Sequence, residues 1–167
     1  MLGLMEFVKS RRIKTSNRVH ITPYIKCDYI DNVSEAYGVK IDPKKLIIII
    51  DDTFFKSGKD GCIISETAIA FKEMFGKPRP IQIEKIKEID VFEKKVIITM
   101  KDNRLNSHEF HMTEDYDVRN VFLIINEWIK TRGKINTEEY IEKIQFMQEI
   151  LKKYIIQLMI LSIYEHH

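Results

Sequence analysis

Apolar residues change their spacing three times along the chain. Between positions 22 and 37, Ile25, Tyr29, Val33 and Tyr37 recur four apart, as on one face of a helix. Thr22 and Pro23 stand before them as a cap and a first helical residue, and Gly38 follows as a stop, so the pattern predicts a helix over about 22–37. After the turn signals Asp42 and Pro43 the texture becomes short, β-branched and aromatic. Seven segments, "LIIII", "CIIS", "AIAFKEMF", "PIQI", "IKEIDVF", "KVIITM" and "HEFHM", follow one another between 46 and 112, parted by Gly, Pro, Asp, Asn or Lys. Helical spacing then returns: Val118, Val121, Phe122, Ile125 and Ile129 form one apolar stripe over about 115–131. The acidic "DYD" ahead of the stripe suits the positive end of a helix dipole.

The connections between the seven segments are too short for parallel crossovers, so neighbours are expected to pair antiparallel. The fold class is α+β: a strongly bent antiparallel sheet or partly open barrel of about seven strands, capped by the helix that carries Trp128. Beyond Gly133 a further helix opens near Thr137. Its residues Tyr140, Ile144, Met147, Leu151, Tyr154, Leu158 and Leu161 alternate steps of four and three, a coiled-coil seam. Ile144, Met147, Leu151, Leu158 and Leu161 therefore mark a docking or dimerisation helix, and a homodimer through it is one expectation. The chain divides into an N-terminal helical lead (1–38), a β domain with its capping helix (39–132) and a C-terminal apolar helix (133–167).

At 167 residues the chain is long enough to bury a substantial core, and its net charge of +2 gives no global field toward nucleic acid or membrane. The densest basic run, "KSRRIKTSNR" at 9–18, has no interleaved aromatics and reads as a solvated segment, so no nucleic-acid partner is expected. Cys27 and Cys62 form neither a CxxC pair nor a disulfide framework. With no secretory pattern at the N-terminus, a cytoplasmic location is expected. The C-terminal "YIIQLMILSIY" is shorter than the roughly 20 apolar residues of a membrane span.

The loop "DDTFFKSGKDG" at 51–61 is the most chemically loaded stretch. It fails as a phosphate-binding loop, because Asp60 stands where a hydroxyl is needed and Thr53 where the first glycine belongs. It also fails as a metal site, because neighbouring strand residues Asp51 and Asp52 point to opposite faces. The remaining reading is a turn in which the aspartates satisfy backbone donors, Gly58 and Gly61 adopt positive φ, and Phe54 and Phe55 divide between core and surface. "HEFH" at 108–111 has strand texture, which turns His108 and His111 to opposite faces and leaves Glu109 beside His111. Cys62 reads as a small core residue and Ser57 and Ser65 lack a nucleophile elbow. No catalytic residue, metal or cofactor is assigned.

The order of elements and the wording "LIIIIDDTFFKSGKDGCIISETAIAFKEMF" resemble the bacterial pleckstrin-homology-like domains over about residues 40–132. That resemblance implies a fold shared by lipid binders and peptide binders. The expected function is a non-enzymatic module binding a protein partner through an open sheet edge or the C-terminal helix. In type it is similar to immunity proteins that neutralise a cognate bacterial toxin. Asp51, Asp52, Lys59, Asp60, Glu84, Glu88 and Asp90 are its candidate contacts. A second reading, implied by the same resemblance, is an anionic membrane surface met by Lys56, Lys59, Lys72, Lys77 and Arg79.

Overall fold

A computed structural model describes residues 2–55, 57–102, 107–132, 146 and 148–154. The chain separates into two compact units, Met1–Gly133 and Lys134–His167.

The first unit is α+β. Its strands are β1 (Val19–Ile21), β2 (Leu46–Asp51), β3 (Gly61–Ser65), β4 (Ala68–Lys72), β5 (Arg79–Gln82), β6 (Ile86–Phe92), β7 (Lys95–Met100) and β8 (Ser107–His111). Its α-helices are α1 (Leu4–Ser10), α2 (Cys27–Tyr37) and α3 (Tyr116–Thr131). All strand pairing is antiparallel and sequential, but in two sheets, five strands in the order β1 to β5 and three in the order β6 to β8. The expectation of one continuous bent sheet or partly closed barrel is corrected here. A 3-10 turn at Ile83–Lys85 intervenes between β5 and β6, which do not pair, and neither sheet closes.

The inner strand β2 is buried along its whole length, and its side chains are shared between two cores. A bulge between Leu46 and Ile48 puts both Ile47 and Ile48 on the inner face, with Ile50; Leu46 and Ile49 turn outward beneath α2. The main core joins those inner residues to Ile64 and Phe71, to Ile89, Ile98 and Phe110 of the other sheet, to Leu4 and Val8 of α1, and to the whole apolar stripe of α3. Each fully buried aliphatic side chain contributes about 1.5–3 kcal/mol. Phe110 stacks on Phe71 at 3.8 Å between ring centroids, and Phe71 on Phe122 at 5.9 Å, an aromatic column that clamps the two sheets and α3 together. The second core lies under α2, where Val33 and Tyr37 cover Leu46, Ile49 and Ala70.

α3 starts where the acidic stretch places it: the Asp115 side chain accepts hydrogen bonds from the Asp117 and Val118 amides. α2 begins five residues later than the sequence pattern predicts. The Thr22 hydroxyl donates to the Leu46 carbonyl at 2.6 Å and the Thr22 amide to the Ile47 carbonyl at 3.0 Å, which holds residue 22 against β2, and the helix starts only beyond Lys26. The basic N-terminal run is folded in part, with Phe7 and Val8 of α1 buried and β1 paired to β2. In the second unit residues 148–154 and Phe146 are helical and exposed, Leu151 among them; Ile144, Met147, Leu158 and Leu161 lie outside the described residues.

Candidate functional site

The loop after β2 is organised by one buried side chain. Asp51 is wholly inaccessible and accepts four hydrogen bonds, from the Thr53 amide (2.8 Å), the Thr53 hydroxyl (2.6 Å), the Tyr29 hydroxyl (3.0 Å) and the Gly58 amide (3.1 Å). Thr53 Oγ1 in turn accepts from the Ser57 amide at 2.7 Å. Hydrogen bonds satisfy every lone-pair direction that burial would otherwise leave bare. Burial together with the hydrogen bond to Asp51 pushes the Tyr29 phenol up to about 12. His20, on the same face of the sheet, packs on the Tyr29 ring at 4.4 Å; its Nε2 is buried with no hydrogen-bond partner among the described residues, and burial lowers its pKa below the ordinary 6.5. Asp51 was a candidate partner contact; its burial assigns it an internal role instead.

This knot throws Phe54 and Phe55 outward, 88% and 87% exposed, where the sequence reading divided them between core and surface. Register places the next loop beside it, since Asp51 pairs with Gly61 and Gly61 with Lys72; the β2–β3 and β4–β5 loops leave the sheet at the same end. The second loop presents Met74 and Phe75, the latter 97% exposed and held at φ 60, a conformation bulky residues rarely adopt. Two side chains tie both loops to the end of β8 and the segment that follows it: Asp52 accepts from the Thr113 amide at 3.0 Å and Glu73 from the His111 amide at 3.4 Å. His111 pairs with Lys95, which brings up the β6–β7 turn with exposed Phe92, and Tyr116 stands exposed at the start of α3. Six large apolar side chains on four connections thus form one rim.

Four ion pairs stand at the rim. Asp52 pairs with Arg18 (3.3 Å), Asp60 with Lys72 (2.6 Å), Glu73 with Arg79 (3.0 Å) and Glu109 with Lys95 (2.7 Å). The hydrogen bond from Lys95 holds the Glu109 carboxyl below the ordinary range. Arg79 also lies over the Phe110 ring at 4.2 Å. Of the five cations proposed to meet a membrane, Lys72 and Arg79 are therefore committed to acids, Lys59 and Lys77 are exposed, and Lys56 lies outside the described residues.

Of the other sequence-assigned contacts, Asp52, Lys59 and Asp60 lie on the rim's β2–β3 loop, whereas Glu84, Glu88 and Asp90 do not join it. Asp52 and Asp60 line one small cleft beside Met74 and His111. Glu84 belongs to the 3-10 turn, and Glu88 and Asp90 to β6, where Glu88 lies 3.8 Å from Lys130 of α3. Met74, Phe75, Phe92 and Tyr116 escaped the sequence reading; the signal for Phe75 was the "GKPRP" that follows it, which ends β4 at Lys72.

The sheet edges are poor docking strands. β1 has three residues and β5 carries Pro80, which lacks an amide donor. The edge of β6 is met by α3, with Asn126 Oδ1 accepting from the Ile89 amide (2.9 Å) and Arg132 donating to the Ile86 carbonyl (3.4 Å). On β8 the His111 amide is held by Glu73. An open cleft of about 880 Å³ lies between β5 and His108, Trp128 and Arg132. Cys62 is buried, which pushes its thiol up. Among the described residues no group of three or more His, Cys, Asp or Glu side chains is placed to hold a metal, and no helix is long and apolar enough to cross a membrane. Comparison with protein-family models, with curated proteins and with solved structures finds no match to this chain.

Proposed function

We propose that the protein is a non-enzymatic binding module of pleckstrin-homology-like type, and that it grips a protein partner with the aromatic loop rim. The fold assignment is supported by β1–β5 and β6–β8 as two sequential antiparallel sheets with α3 across their core. The rim carries the functional reading: Phe54, Phe55, Met74, Phe75, Phe92 and Tyr116 are exposed together. Aromatic clusters of this kind supply most of the binding energy in protein interfaces. Leaving them in water forgoes about 1.5–3 kcal/mol per side chain, a stability sacrifice that a recognition surface explains.

A protein is favoured over an anionic membrane because two of the five cations of the membrane reading, Lys72 and Arg79, are neutralised by Asp60 and Glu73 and so add little attraction for head groups. A toxin neutralised by this chain is one such partner. The test is a triple change, Phe54→Ser, Phe55→Ser and Phe75→Ser, in the full chain. A partner captured by the wild type and then purified is titrated against both forms, and binding to the variant is expected to weaken at least about 30-fold. Equal affinity removes the rim from the reading. Binding to anionic vesicles that is lost in the same variant transfers the rim to the membrane reading.

A further inference from the structure

A second feature sits on a different surface and does not depend on the rim. The basic run at 9–18 contains five cations, and the fold sorts them. Arg11 is drawn to Glu127 of α3 and lies over the Phe7 ring, while Arg18 is bound to Asp52 and to the Asp51 carbonyl. The remaining three, Lys9, Arg12 and Lys14, line a single open cleft of about 600 Å³ between the end of α1 and the turn at Ile21–Tyr24. None of the three has an ion-pair partner among the described residues, and no carboxylate lines the cleft.

Of the carbonyls at the end of α1, the groups that would compete for those cations or repel an anion, three are engaged within the chain. Phe7, Val8 and Lys9 carbonyls accept from the Arg11 and Arg12 amides. Thr15 and the 79%-exposed Tyr24 add hydroxyls and an aromatic face, and Val8 and Ile21 give the cleft an apolar floor. Three uncompensated cations around one concavity create a local positive potential that the net charge of +2 conceals.

We infer that this N-terminal cleft is a binding site for a phosphate-bearing small molecule, with Lys9, Arg12 and Lys14 gripping the phosphate and Tyr24 covering its organic part. Its volume falls within the range of small-ligand sites, roughly 300–1,000 Å³. Charge-assisted hydrogen bonds from lysine and arginine to phosphate are roughly twice as strong as neutral ones.

The experiment is calorimetric titration of the full chain with pyrophosphate and with ADP, and flotation with phosphatidylcholine vesicles containing phosphatidic acid. The same is done for Lys9→Gln/Arg12→Gln/Lys14→Gln and for a control, Lys40→Gln/Lys44→Gln/Lys45→Gln, which removes equal charge elsewhere. All six side chains are exposed, so both variants are expected to melt like the wild type in the absence of probe. Binding of a soluble probe, weakened at least about tenfold in the cleft variant and unchanged in the control, supports a soluble phosphate ester. Vesicle binding with the same variant pattern, without ADP binding, supports a phospholipid head group as the source. No binding of any probe, or equal loss in both variants, overturns the site.

Discussion

Asp51→Ala should be among the most damaging single changes in this protein. The substitution empties a wholly buried site and strands four donors, the amides of Thr53 and Gly58 and the hydroxyls of Thr53 and Tyr29. A hydrogen bond to a charged acceptor contributes about 1.5–3 kcal/mol, but four that share one acceptor group are not additive. A loss of about 3–5 kcal/mol is expected, a large part of the roughly 5–15 kcal/mol that holds a domain together. Asp51→Asn is a finer probe. Whichever way the amide turns, its nitrogen faces one backbone N–H, of Thr53 or of Gly58, so about 2 kcal/mol should be lost. Tyr29→Phe removes a single donor and should lose about 1–2 kcal/mol. Urea unfolding at fixed pH, with the m-value checked for constancy, ranks the three. If Asp51→Ala falls within 1 kcal/mol of wild type, on the order of one ordinary hydrogen bond, the loop is not held by this carboxylate.

Three further outcomes follow from the same structure. Gly61→Ala, at φ 123 with a new Cβ only 2.1 Å from the Ile50 carbonyl oxygen, should destabilise by at least about 3 kcal/mol in thermal unfolding. His20 has its pKa lowered by burial, with Asp51 opposing and Lys26 reinforcing the shift, so the unfolded chain takes up the proton first as pH falls. Stability should therefore be full above the unfolded value of 6.5, decline below it, and level off beneath the folded value; the wild-type minus His20→Gln difference in urea midpoint, followed from about pH 7.5 to 5, reads this directly. Arg79→Ala uncovers Phe110 and frees Glu73 from its ion pair; a loss of about 1–2 kcal/mol is expected in urea unfolding, with hydrogen exchange at the His111 amide rising more than at β2.

Much of the local structure was legible because its signals are local. The β-branched run 46–50 and the stripe from Val118 to Ile129 announce a strand and a helix without help from the rest of the chain. What escaped depends on distant partners. β1 is three residues long and is a strand only because Val19, His20 and Ile21 pair with Ile50, Ile49 and Ile48. Thr22 has the look of a helix cap, but its amide and hydroxyl bind the Ile47 and Leu46 carbonyls and hold it against β2. α1 did leave a trace, Leu4, Phe7 and Val8 at i, i+3 and i+4, but over only seven residues and ahead of a basic run. The break into two sheets turns on the Ile83–Lys85 turn, which no composition rule announces. The rim was the least legible feature, since it assembles residues from four connections whose proximity is set by register and by the Asp52 and Glu73 hydrogen bonds.

The central claim is that the exposed phenylalanines of the loop rim are recognition residues. It is tested most directly by measuring the dissociation constant of a purified partner for the wild-type chain and for Phe54→Ser/Phe55→Ser/Phe75→Ser, with circular dichroism establishing that both are folded. Partner affinity should fall at least about 30-fold while the fold is unchanged. An unaltered affinity in the folded variant would contradict it.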